Sequence, residues 1–269
     1  MKIKIGIIGC GAIGSALAEY CTKDLKDRLD LVSIYDISEE ARLSLEKTLN
    51  KKIAVSSLDE LIGKSDLLIE SASGSVSHKI LKLAIDNKKD VIIMSIGGLL
   101  GHEGLLDEAG KKGIKVYLPS GALAGIDAFK ACGISKIESV RLTTRKPPKG
   151  LLGAPYLKEK NIDITKIDGE SVVFEGNAAQ AVKGFPKNVN VSALLSIAGL
   201  GSEKTIVRII TSDKYTKNSH EVEIKGDFGT IKTVTENVPF PENPKTSYLA
   251  ALSAMATLRG IVDTVRIGT

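Results

Sequence analysis

The chain has 269 residues, 43% hydrophobic and 26% charged, enough for a real buried core and for two domains, and it excludes disorder. Lysine and arginine number 37 against 32 acids, spread without a basic block, so nothing points to nucleic acid, whereas a small anionic substrate suits the excess. The three cysteines, Cys10, Cys21 and Cys132, lack C-x-x-C spacing, which excludes a disulfide framework, suggests no metal site and fits a reducing, cytoplasmic setting.

Short β-rich runs alternate with helical segments from the start. "IKIGIIG" precedes "GSALAEYCTKDL", "LDLVSIYD" precedes "SEEARLSLEKTL", and "DLLIES", "VSHKILKLAIDN", "DVIIMS", "HEGLLDEAGKKG" and "IKVYLPS" continue the pattern. Continuously apolar strand runs such as "VIIM" are those of parallel strands covered by helices on both faces. The expected fold class is therefore α/β, with a doubly wound parallel sheet over residues 1–122. Lysines before the first apolar run imitate a signal peptide, but glycines break that run, and no stretch approaches the roughly 20 apolar residues of a membrane helix. The chain is accordingly expected to have no membrane partner.

The glycines sit at a fixed spacing. "GCGAIG" places Gly9, Gly11 and Gly14 between a strand and a helix, with Ala12 and Ile13 opening that helix and Asp36 ending the next strand. In this context the pattern reads as a dinucleotide site, with phosphates at the helix N-terminus and ribose hydroxyls on Asp36. The same carboxylate repels a 2′-phosphate, so NAD is expected over NADP. Ser38 is the expected cap of the second helix. Residues Glu70 to Ser75 are expected at the carboxyl edge of the sheet, where small side chains leave room for a cofactor. His78 reads as a structural residue on a helix face, and His102 as a capping or solvated one.

Past "KVYLPSGALAGIDAFKACG" the alternation stops. Strand-like "KIESVRLTTRK", "ESVVFEG", "KTIVRIITS", "SHEVEIKGDF" and "GTIKTVTENV" surround the helical runs "NAAQAVKGF" and "NVNVSALLSIAG". The apolar and charged alternation of "KTIVRIITS", "SHEVEIKGDF" and "GTIKTVTENV" predicts an antiparallel sheet with one covered and one accessible face, and such a sheet can also be a dimer surface. The expected second domain is of α+β type over residues 123–242, catalytic and dimerising. A long helix over 243–269 is expected to start at Asn243 and Pro244 and to pack back on the first domain. The active site is expected in the cleft between the domains.

Taken in order, "GCGAIG", "LPSGALAGID", "TRKPP", "FPKNVNVSALLSIAG", "NSHEVEIKGDFG" and "NPKTSYLAALSA" resemble the L-aspartate dehydrogenase family over essentially the whole chain. The resemblance implies a homodimer with a Rossmann domain and an α/β catalytic domain. It also implies oxidation of L-aspartate with NAD or NADP, the iminoaspartate feeding NAD biosynthesis or hydrolysing to oxaloacetate and ammonia. By matching motif, it makes His220 the catalytic residue and Ala124 and Asn190 cofactor contacts. An imidazole suits the proton transfer that must accompany loss of a hydride from Cα. Arg145, Lys146, Lys187 and Lys245 are the cations available to two substrate carboxylates, and the sequence does not choose among them. A dihydrodipicolinate reductase or homoserine dehydrogenase-like enzyme, or a non-catalytic NAD-binding regulator, remain the alternatives at this stage.

Overall fold

A computed structural model describes residues 2–186, 189–241 and 243–268. The chain divides into two compact units, Met1–Pro119 with Ala251–Val265, and Ser120–Ala250 with Arg266–Thr269.

The first unit is a five-stranded parallel sheet of β1 (Ile3–Ile8), β2 (Leu29–Tyr35), β3 (Leu67–Glu70), β4 (Asp90–Ile93) and β5 (Val116–Tyr117), in the order β2-β1-β3-β4-β5. A parallel bridge between Ile34 and Ala54 adds the trace of a sixth strand beyond β2. Crossovers run through α1 (Ala12–Lys23), α2 (Glu39–Leu49), α3 (Leu58–Lys64), α4 (Gly74–Asp86) and α5 (Gly104–Lys111), as parallel pairing requires. The sheet contributes Ile5, Ile7, Leu31, Ile69 and Ile92 to a core completed by Leu17 and Cys21 of α1 and Leu45 of α2. Strand order therefore switches direction at β1, and the loops after β1 and β3 open at the carboxyl edge, where doubly wound sheets bind ligands.

The second unit carries β6 (Ile137–Lys146), β7 (Ser171–Asn177), β8 (Thr205–Thr211), β9 (Asn218–Gly226) and β10 (Gly229–Asn237), in the order β10-β9-β6-β8-β7. Around it lie α6 (Ile126–Cys132), α7 (Pro155–Glu159), α8 (Ala178–Gly184) and α9 (Asn190–Ala198). The purely antiparallel expectation is corrected here: β6 and β8 pair in parallel, Leu142 opposite Val207, while the other three pairs are antiparallel. Alternating hydrophobicity reports which face is covered, not strand direction, and the 58 residues between these strands include the helices α7, α8 and α9, which make a crossover possible. Leu142, Val222 and Ile224 of the sheet pack with Phe129 of α6 and Leu195 of α9.

The C-terminal helix also differs from expectation. Asn243–Ser247 forms strand β12, paired with β11 (Pro239–Phe240), and helix α10 runs from Tyr248 to Val262. The Asn-Pro pair therefore does not cap a helix; its segment satisfies its backbone in a two-stranded ribbon. Ala254 and Leu258 of α10 belong to the core of the first unit, and Arg28 bonds Asp263 just beyond the helix. Among the described residues no helix is long and apolar enough to cross a membrane.

Candidate active site

The turn after β1 is shaped by what it lacks. Gly9 has φ +100°, a left-handed conformation, and a Cβ there would lie 2.6 Å from the Ser71 backbone. A Cβ on Gly14 would drive into the Gly9 carbonyl oxygen, so α1 can approach the turn this closely only with glycine at that position. Gly11, by contrast, faces open space. Gly11 is also the N-cap of α1, with no side-chain cap and no acid in the first turn. Helices α2 and α3 are by contrast capped by Ser38 and Ser57 in the ordinary way, as expected for Ser38. The result at α1 is a helix N-terminus whose Ala12 and Ile13 backbone and partial positive charge are available to an anion.

Asp36 closes the other side of this turn. Its Oδ2 accepts from the Cys10 N–H at 2.8 Å and its Oδ1 from the Ser38 N–H at 2.9 Å, which fixes the carboxylate at the tip of β2. Each oxygen keeps a second lone pair for a ribose hydroxyl. Arg42 donates to the Asp36 carbonyl. Burial and the Asp36 charge push the neighbouring Cys10 thiol up to about 12, so it stays protonated and unreactive. An open cradle, an uncapped helix and a fixed acid together fit a dinucleotide.

Glu70, expected at the carboxyl edge of β3, is fully buried there. Its two oxygens accept from the Ala72 and Ser95 N–H groups, both at 2.9 Å, tying the loop after β3 to the loop after β4. Burial raises its pKa, and those backbone donors counter the rise. Nothing in "DLLIES" announces this clamp. His78 and His102 stack face to face with ring centres 4.1 Å apart; the sequence treated them separately because stacking joins α4 to a loop 24 residues on.

In the second unit the inner face of the sheet changes character along its length. On β6 the inward row runs Val140, Leu142, Thr144, Lys146; on β9 it runs Ile224, Val222, His220. The row is thus apolar at one end and polar at the other. His220 is only 6% exposed, not the solvated strand residue its polar neighbours suggest. Its Nδ1 lies 3.0 Å from Thr144 Oγ1, the residue directly across the ladder. Burial and the nearby Lys146 charge push its pKa down to about 3, so the imidazole is neutral throughout the physiological range. Burial likewise lowers Lys146 to about 8.

The loop that carries Ala124 reaches the same polar end. Thr233 and Thr235 of β10 donate to the carbonyls of Ala124, at 3.1 Å, and Ala122, at 2.8 Å, and Thr235 sits opposite His220 in the ladder. Gly125 has φ +78°, and a Cβ there would meet Thr233 at 2.7 Å, so the Ala124 loop lies tightly on β10. Asn190 is the first residue of α9, and Ser192, two residues on, lines a cavity of about 10 Å³ together with Thr144 and Lys146. His220 and the Ala122–Ala124 loop, far apart in sequence, are therefore gathered at one end of one sheet, and Asn190 opens the helix whose Ser192 reaches that end. Thr144 is the member that sequence reasoning missed. Its signal was present in the alternation V-L-T-K, an apolar row that continues into polar residues.

Of the candidate cations, Arg145 points to the opposite face and pairs with Glu221 at 2.9 Å. Lys187 lies outside the described residues, as does the side chain of Lys245. Among the described residues no group of three or more potential ligands could hold a metal.

Comparison with known proteins covers both units. Residues 9–119 match the NAD-binding domain model of homoserine dehydrogenase, and residues 127–261 match the C-terminal domain model of aspartate dehydrogenase. The chain is 45% identical to the L-aspartate dehydrogenase of Methanosarcina mazei, over 99% of this chain and 100% of the relative. It is 43% identical to that of Methanococcoides burtonii over the same shares. The crystal structure of aspartate dehydrogenase from Thermotoga maritima superposes with a TM-score of 0.75 at 25% identity, covering 100% of both chains. A Rossmann-type unit followed by an α+β unit, both matched along their whole length, leaves the homoserine dehydrogenase model as a likeness of the first unit alone; the chain belongs to the L-aspartate dehydrogenase family.

Proposed function

We propose that this chain oxidises L-aspartate to iminoaspartate with NAD or NADP as acceptor. The observation that carries the reading is the buried, neutral His220 held by Thr144 at the polar end of the second sheet. Full-length similarity to proteins named L-aspartate dehydrogenase supports the substrate.

The backbone N–H groups of Gly11, Ala12, Ile13 and Gly14 would hold the pyrophosphate, while Gly9 shapes the turn with its own N–H on the Tyr35 carbonyl, and Asp36 would accept from the ribose, which favours NAD. Ala124 and Asn190 would contact the nicotinamide half. The bound cofactor supplies one thing, a carbon that accepts hydride from the substrate Cα. The chain supplies the rest. Loss of hydride requires a neutral amine, and a neutral imidazole is a competent proton acceptor where a protonated one is not. With Nδ1 held by Thr144, Nε2 takes the proton released at the amine. Oxidation thus yields iminoaspartate, reduced cofactor and a proton.

The test is an absorbance assay for reduced cofactor over a panel of amino acids, run with NAD and with NADP. L-Aspartate should be the preferred substrate and NAD the preferred acceptor; His220→Ala should lower kcat by about 10²- to 10⁴-fold. Full turnover by that variant removes His220 from the mechanism. Binding of NADH without turnover of any amino acid supports a regulator instead.

A homodimer belongs to the same proposal. On the outer face of the second sheet Val234 is 61% and Val172 46% exposed, among charges of both signs. On that face too Arg208 pairs with Glu175, Nε to Oε2 at 3.4 Å. Sedimentation should give twice the mass of 28.6 kDa. The buried free cysteines support a reducing, cytoplasmic setting.

A further inference from the structure

Glu70 is the last residue of β3 and fully buried, and its carboxylate takes no part in the hydride or proton transfer. One oxygen accepts from the Ala72 N–H in the loop after β3 and the other from the Ser95 N–H in the loop after β4, each at 2.9 Å. The neighbouring Ser71 donates to the Gly9 carbonyl at 2.9 Å, so the series continues into the glycine turn after β1. The two outer loops are also pressed together, since a Cβ on Gly98 would drive into the Gly74 carbonyl at the start of α4. Burying a carboxylate is costly, and an apolar side chain would fill the same volume without that cost. What the carboxylate alone offers is two acceptors fixed in one plane, matched to N–H donors from two different loops.

Strand order determines what those loops face. With the adenosine ribose on Asp36 at the tip of β2 and the phosphates on the turn after β1, a dinucleotide lying across the order β2-β1-β3-β4 brings its other half over the loops after β3 and β4. The exposed residues there, Ala72, Ser73 and Ser75, are small enough to admit it. We infer that Glu70 is a positioning residue: by clamping these two loops from beneath, it sets the floor on which the nicotinamide half of the cofactor rests. The inference rests on the NAD-binding reading of the first unit and deepens it. Glutamine has nearly the shape of glutamate but only one acceptor oxygen, and its amide nitrogen would face an N–H donor. Glu70→Gln therefore releases one loop while the glycine turn and Asp36 stay in place.

The experiment compares binding of NADH with binding of ADP, which carries the adenosine and both phosphates but lacks the nicotinamide half. For Glu70→Gln the dissociation constant of NADH, measured by calorimetry, should rise about tenfold and that of ADP by less than about twofold. An equal rise for both ligands would make Glu70 a residue of general stability and overturn the inference; so would unchanged constants. In the wild-type protein, hydrogen exchange at the Ala72 and Ser95 amides should slow by about fivefold or more when NADH binds and not when ADP binds, a result independent of whether the glutamine variant folds. Equal slowing by both ligands, or slowing by neither, also overturns it. Wild-type protein that binds neither NADH nor ADP would instead fail the dinucleotide reading beneath, before any variant is made.

Discussion

The two ends of the chemistry are built from different materials. In the first unit the nucleotide cradle is made of backbone: glycines that admit close approach, a helix left uncapped, one fixed carboxylate. In the second unit the polar end of the sheet is made of side chains brought into register from four separate segments, with backbone serving only as the frame. A backbone site tolerates almost no added atoms, whereas a side-chain site tolerates isosteres and loses function by degrees.

The comparison can be broken most severely at Gly14. A methyl group there must displace either α1 or the Gly9 carbonyl. Gly14→Ala should cost at least ~2 kcal/mol of stability, by thermal denaturation, and abolish NADH binding measured by fluorescence. Retained binding would mean that the turn yields and is not the rigid cradle described. A milder break lies across the ladder from His220. Thr144→Val keeps the volume and removes the oxygen on Nδ1, so kcat should fall about tenfold with KM for both substrates nearly unchanged. Thr144→Ser should restore most of that loss; a serine variant as poor as valine would show that packing, not the hydrogen bond, matters.

The smallest effect concerns pH. His220 has a folded pKa near 3 against 6.5 in a free side chain, so below 6.5 the unfolded chain binds a proton that the folded one refuses. Stability contributed by the neutral ring is fully present above pH 6.5 and is lost progressively as pH falls toward 3, by at most about 1.4 kcal/mol per pH unit. Denaturant titrations at pH 7 and 5 should show this slope in wild type and a shallower one in His220→Gln. Equal slopes would assign the acid sensitivity to other groups.

The same contrast explains what was legible in the sequence. A backbone site leaves a trace in consecutive letters, since the spacing of Gly9, Gly11 and Gly14 and the position of Asp36 are local facts. Strands of the first unit were readable because parallel strands buried on both faces are apolar without interruption. Helix α3, only seven residues long, was too short to show a period. In the second unit strand pairing lies outside local sequence: nothing in "RLTTRK" says that its partner on one side runs parallel and on the other antiparallel. His220 was reachable only through resemblance, and its burial contradicts its polar neighbours Asn218 and Ser219. Thr144 became visible only once the ladder placed it opposite that histidine.

Helix α10 carries a consequence for how the chain is made. Its residues Ala254 and Leu258 complete a core whose other members, apart from this tail, lie before residue 120. The nucleotide-binding unit therefore emerges from the ribosome unfinished and waits for about 130 more residues, roughly 7 to 26 s at ordinary rates of synthesis. The core of that unit can close only after the last helix has arrived.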